Sequence, residues 1–135
     1  MIQRIQSIFI AFALINSIIG VLIFYNAKEK FFLYQFNIKL EMFLGAILSI
    51  FLALISLFLF KNRKLQLMIN LINLFLNLVL IVLFLCYLLN LSGGFLSLKK
   101  GVLAVPFVTN ILLLVFANQY IKKDERLVKS VDRIR

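Results

Sequence analysis

Leu65-Gln66-Leu67-Met68-Ile69-Asn70-Leu71-Ile72-Asn73-Leu74-Phe75-Leu76-Asn77 opens a run without a single charged residue that continues to Leu91. At ~20 apolar residues per crossing of a bilayer core, the run is long enough to span it with some tilt or overhang. Its four amides, Gln66, Asn70, Asn73 and Asn77, are spaced by four, three and four residues. At ~100° per residue they fall within roughly a 60° sector of one helix face. Lipid cannot hydrogen-bond an amide, and each one left unpaired costs several kcal/mol. That face must therefore look at protein, and the remaining chain must supply the partners. The expected fold is all-α, a four-transmembrane-helix bundle closed around this third span.

The composition agrees with a membrane protein. Of the 135 residues, 64% are hydrophobic, and the mean hydropathy is +1.08. A soluble domain of this size has too little interior to hide so much apolar surface. The apolar residues also come in runs of about 20 rather than in stripes. One membrane domain, 1–135, is the economical organisation. Lys and Arg number 15 against 5 Asp and Glu. The basic residues sit almost entirely between and after the apolar runs, where they orient the chain and touch anionic lipid rather than nucleic acid. Cys86 is the one cysteine, inside an apolar run, and His and Trp are absent. No disulfide framework, metal pair or histidine base is available, so no metal or cofactor is expected.

Four spans are expected, at about 5–25, 42–60, 65–91 and 102–121, followed by a tail, 122–135. The first is read as an uncleaved span, because its apolar stretch exceeds that of a signal peptide and no small-x-small cleavage site follows. Ala13, Asn16, Ser17 and Gly20 give it a small, slightly polar face. Phe31-Phe32-Leu33-Tyr34-Gln35-Phe36, in the first connection, is too short to cross and suits the headgroup level. In the second span, Gly45, Ser49, Ala53 and Ser56 share one side, which lets a neighbouring backbone approach and makes this helix the first candidate partner of the amide stripe. Lys61-Asn62-Arg63-Lys64 is a basic turn short enough to force the second and third spans into antiparallel contact.

Ser92-Gly93-Gly94 is a turn signal without the surroundings of a phosphate-binding motif. Pro106 falls in the first turns of the fourth span, where its missing N–H is tolerated. Asn110 is that span's deepest polar residue, while Asn118 and Gln119 fall toward the interface. The tail carries Leu127, Val128, Val131 and Ile134 on one side, so the fourth span is expected to continue into a short cytoplasmic amphipathic helix. Arg4, the basic turn and the tail hold 10 basic residues, against 5 in the two other connections. The positive-inside rule then places both termini in the cytoplasm.

The start, Met1-Ile2-Gln3-Arg4-Ile5-Gln6-Ser7, and the end, Asn118-Gln119-Tyr120-Ile121-Lys122-Lys123-Asp124-Glu125-Arg126-Leu127-Val128-Lys129-Ser130-Val131-Asp132-Arg133-Ile134-Arg135, resemble an uncharacterised family of small four-span membrane proteins of Bacteroidota-type bacteria. The tail pattern Lys-Asp-Glu-x-Leu-Val-x-Ser-x-Asp-Arg-x-Arg is the more specific part. The resemblance implies a bacterial inner-membrane location and brings no activity. Both ends fall on the side that charge assigns to the cytoplasm, which suggests that Arg4, Gln3 and Gln6 meet Asp124 or Glu125 there.

Glu29, Glu41, Asp124, Glu125 and Asp132 all lie outside the hydrocarbon core. Proton relays and most secondary transporters place an ionisable residue at membrane depth; this chain does not, and an enzyme is not expected. The amide stripe has three readings: interhelical bonding that fixes packing or oligomerisation, a groove or pore lining for a neutral solute, or compositional drift in an Asn-rich chain. The first leads to an accessory or scaffold subunit that binds membrane lipid and a larger complex or further copies of itself. Its packing residues are Gln66, Asn70, Asn73, Asn77, Gly45, Ser49, Ala53, Ser56 and Asn110, and its cytoplasmic contacts are Arg4, Lys61, Arg63, Lys64, Asp124, Glu125 and Arg133. The alternative is a small transporter or channel component.

Overall fold

A computed structural model describes residues 2–26, 32–33, 36–90 and 104–132. Four long helices make the fold: α1 (Ile2–Asn26), α2 (Ile38–Phe58), α3 (Arg63–Asn90) and α4 (Val105–Asp132). Between α1 and α2, β1 (Phe32–Leu33) and β2 (Phe36–Asn37) pair antiparallel, with Phe32 opposite Asn37 and Leu33 opposite Phe36. A 3₁₀ turn, Leu59–Lys61, joins α2 to α3. The turn is closed by the Asn62 N–H donating to the Leu59 carbonyl (2.9 Å) and by the first α3 bond, from the Gln66 N–H to the Asn62 carbonyl (3.0 Å). The Ser92-Gly93-Gly94 turn and Arg133 lie outside the described residues, as do the side chains of Arg4 and of the Phe31–Phe36 cluster.

Each helix packs on its sequence neighbours, and α1 closes the ring against α4. Contacts fix the directions. Ile10 packs with Ala117 and Ile121, whereas Gly20, three turns further along α1, lies against Pro106 near the start of α4. The two helices are therefore antiparallel, and α2 and α3 are too, since Ser56 meets Asn70 while Gly45 meets Leu80. This is an up-down-up-down bundle, with the start of α1, the end of α4 and the α2–α3 turn at one end, the proximal end.

The seam of every helix follows one spacing. Gln6, Ile10, Ala13, Ser17 and Gly20 are buried on α1; Met42, Ala46, Ser49, Ala53 and Ser56 on α2; Gln66, Asn70, Asn73, Asn77, Leu80 and Phe84 on α3; Phe107, Asn110, Leu114, Ala117, Ile121 and Asp124 on α4. Alternating steps of three and four keep one stripe of each helix on the common axis, as in a coiled coil.

Half of the buried side chains are polar, while large apolar residues such as Phe12, Phe51, Phe75 and Leu112 stand exposed around the outside. In water that arrangement is inverted; in a bilayer it satisfies both surfaces, because the exterior meets acyl chains and the amides meet each other. All four helices are long and apolar enough to cross a membrane, and the chain is a multi-pass membrane protein. At 28 residues and about 1.5 Å rise each, α4 exceeds a hydrocarbon core of ~30 Å. The residues after Ile121 continue the helix without a break.

Candidate functional site: a polar layer tying four helices

Small residues bring the backbones close enough for short polar side chains to reach one another. A methyl added at Gly45 would stand 2.6 Å from Leu80 Cδ2, and one at Gly20 would stand 3.2 Å from Pro106 Cβ. At this close approach Ser17, Ser49, Asn73, Asn77 and Asn110 converge from all four helices. The Ser49 hydroxyl donates to Asn73 Oδ1 at 2.8 Å. The Asn73 amide returns a bond to the Ser49 carbonyl at 3.3 Å. Asn77 donates to the Asn73 carbonyl (2.8 Å), to Asn73 Oδ1 (3.1 Å) and to Ser49 Oγ (3.3 Å). Asn110 reaches across from α4 to Ser17 Oγ (2.7 Å), Ser49 Oγ (3.3 Å) and Asn77 Oδ1 (3.4 Å). Ser17 donates to its own Ala13 carbonyl at 2.9 Å and lies 3.2 Å from Ser49 Oγ.

Ser49 is thus the node of the layer. It has one proton to give and two lone pairs to receive with, and donors approach it from α3 and α4. Beside it, Asn16 donates to the Pro106 carbonyl at 2.6 Å. That carbonyl lies in the first turn of α4, whose residues Val105 and Pro106 also receive the Thr109 hydroxyl. The gap left among Ser17, Gly20, Ala46, Ser49, Asn77, Pro106, Phe107 and Asn110 is too narrow to admit a water molecule. Away from the chain ends the layer is capped by Met42, Ala46, Leu80, Phe84 and Phe107.

Toward the proximal end the interior stays polar but is less completely bonded. Ser56 donates to Asn70 Oδ1 at 2.6 Å, and Gln66 donates to the Ser56 carbonyl at 3.0 Å. Among the described residues, Asn70 Nδ2, Gln66 Oε1, Asn118 Oδ1 and both amide atoms of Gln6 are buried without a hydrogen-bond partner. Asn118 therefore belongs to the interior, not the interface expected for it; Gln119 is exposed. Asp124 departs from expectation as well. It is buried and pairs with Arg63 at the start of α3, 3.0 Å between Nη2 and Oδ2. Two residues expected to face a cytoplasmic partner are instead engaged with each other. Gln6, expected to meet Asp124 or Glu125, makes no hydrogen bond through its amide among the described residues.

The predicted packing residues are all buried, and the structure joins Gln66, Asn70, Asn73, Asn77, Ser49, Ser56 and Asn110 into hydrogen-bonded groups. The Arg63–Asp124 pair was hidden from sequence reasoning because the partners are far apart in the chain; a charged residue continuing the α4 seam spacing is the signal that would have found it. Lys61, Arg63, Lys64 and Glu125 line an open cavity of about 640 Å³ at the proximal end, together with Asn62, Leu65 and Val128. Among the described residues no group of three or more His, Cys, Asp or Glu side chains could hold a metal ion.

The profile of a family described as Domain of unknown function (DUF4293) matches residues 2–134. No curated protein and no solved structure matches the chain.

Proposed function

The chain belongs to the DUF4293 family, and from that premise we propose that it is an accessory or scaffold subunit of a larger complex in the bacterial inner membrane, acting through helix packing and proximal-end contacts. Both termini face the cytoplasm in this reading, because the proximal end carries Arg4, the basic turn and the α4 extension. The observation that carries it is the layer around Ser49, where one hydroxyl joins three helices and the surrounding gap is closed to water. Bonds of this kind contribute about 0.6 kcal/mol each in a membrane, up to roughly 1.7. Several together fix register and hold a bundle rigid, which suits a presenting platform. A path for a neutral solute would have to pass through this layer. The surface left for a cytoplasmic partner is the α4 extension, where Lys122, Lys123, Arg126, Leu127 and Val128 are exposed.

The test is cross-linking of the full chain in native membranes, with mass spectrometry of the adducts. A defined membrane complex should be captured through residues 122–135 and lost when Leu127–Arg135 is deleted. Passage of a small neutral solute by the purified protein in liposomes, abolished by Asn77→Leu, would overturn the proposal in favour of transport.

A further inference from the structure

We infer that the proximal cavity lined by Lys61, Lys64, Leu65 and Val128 is a binding site for the phosphate headgroup of an anionic membrane lipid, with an acyl chain laid along α3. The inference goes beyond the scaffold reading and does not rest on it. The cavity, about 640 Å³, lies within the range of small-ligand sites. Three cations line it against one carboxylate, Glu125. Arg63 is already engaged by Asp124. Lys61 and Lys64 are exposed and make no ion pair among the described residues. Two ammonium groups three residues apart on one short turn are suited to grip a single phosphate, each as a point charge with three donors.

Lipid is favoured over a soluble phosphate by what adjoins the lysines. Leu65 and Val128 contribute apolar surface to the same cavity, and both are exposed. From Leu65, the exposed residues Met68, Ile72 and Phe75 follow at steps of three, four and three along the outer face of α3. A cationic mouth that opens onto an apolar strip is complementary to an amphiphile; an inorganic anion would leave the strip unused. The cavity also sits where the α2 and α3 spans end, which is headgroup level for a bundle that crosses the bilayer.

The test uses the full chain reconstituted in bilayers of mixed phosphatidylglycerol and phosphatidylcholine. Spin-labelled lipid of each type reports relative association with the protein. Lys61→Gln with Lys64→Gln removes two charge-assisted contacts to the phosphate and should reduce the preference for phosphatidylglycerol about tenfold or more. Lys64→Gln alone, which leaves Lys61 and Arg63 to orient the turn, should show part of that loss, and Lys→Arg at both positions should restore the preference. Lys122→Gln with Lys123→Gln makes the same charge change elsewhere at the proximal end and should have little effect. An equal loss in that control means diffuse attraction and overturns the site. Inorganic phosphate that protects the detergent-solubilised protein against heat through Lys61 and Lys64, without any lipid preference in bilayers, makes the site one for a soluble anion and overturns the lipid assignment.

Discussion

Ser49 and Asn73 bind each other twice: the serine hydroxyl donates to Asn73 Oδ1 at 2.8 Å, and the asparagine amide donates to the Ser49 carbonyl at 3.3 Å. The pair locks α2 to α3 in a single register, because a shift of one residue would break both bonds at once. It also saturates the Ser49 proton, which leaves Ser49 Oγ as an acceptor for Asn77 and Asn110.

Ser49→Ala removes the node: Asn73 Oδ1 loses its shortest donor and keeps Asn77, and Asn77 and Asn110 each lose one of three acceptors. The loss of these three bonds, at about 0.6 kcal/mol each, should cost roughly 2 kcal/mol. Ser17→Ala removes one acceptor of Asn110, which retains two others, and should cost under about 1 kcal/mol. Unfolding in mixed micelles of increasing dodecyl sulfate content measures both. Equal losses would mean that Ser49 is no more central than its neighbours.

The amide stripe is not uniform, and the variants should show it. Asn73 is bonded through both ends of its amide, whereas Asn70 accepts from Ser56 and has an unpartnered Nδ2. Replacing Asn70 by Leu together with Ser56 by Ala removes donor and acceptor together and should be close to neutral. Asn73→Leu leaves the Ser49 hydroxyl without its acceptor and the Ser49 carbonyl without the Asn73 amide, while Asn77 keeps the residue-73 carbonyl and Ser49 Oγ, and should cost roughly 1–3 kcal/mol. Thermal denaturation in detergent separates the two; matching stabilities would point to asparagines that drifted in without a packing role.

Gly45 receives the end of Leu80, with a hypothetical Cβ 2.6 Å from Cδ2 and 2.8 Å from Cδ1. Leu80 is itself buried between Met42, Ala46, Phe84 and Phe107, so it has little room to turn away. Gly45→Ala should therefore destabilise the bundle by roughly 1–3 kcal/mol through overpacking. Leu80→Ala opens a cavity and costs about 2–5 kcal/mol alone. Combined, the two should cost less than their sum, since the new methyl enters the space that the leucine vacates. Strict additivity in the same denaturation assay would show that the two side chains do not meet.

The spans and the polar centre were legible because both follow from periodicity: charge-free runs gave the helices, and steps of three and four placed Gln66, Asn70, Asn73 and Asn77 on one face. Gly45, Ser49, Ala53 and Ser56 were legible as their partner for the same reason. The identity of the hub was not. Ser49 outranks the asparagines only because Ser17 and Asn110 arrive at its depth from the other two helices, and the relative depth of antiparallel spans depends on connections whose reach periodicity does not specify. Asp124 was misplaced by its company. Among Lys122, Lys123 and Arg126 it reads as solvated, yet it falls three residues after Ile121 on the buried seam and meets Arg63 there.

Arg63 and Asp124 close the proximal end. With side chains 21% and 12% exposed, the pair is drier than a surface ion pair, worth ~0.2–1 kcal/mol, and wetter than a buried one, whose disruption costs ~3–5 kcal/mol. Asp124→Asn should therefore cost roughly 1–2 kcal/mol, and the loss should be local. The polar layer around Ser49 stays intact, while the helix beyond residue 124 loses its tie to α3 and opens more often. Trypsin cleavage after the exposed Arg126 reports that opening in the detergent-solubilised protein and should accelerate several-fold. Exchanging the partners, Arg63→Asp with Asp124→Arg, should recover part of the protection, because the opposite charges still meet even though the guanidinium now starts from α4. An unchanged cleavage rate in Asp124→Asn would mean that the α4 extension is held by its apolar contacts alone and that the ion pair does not clamp it.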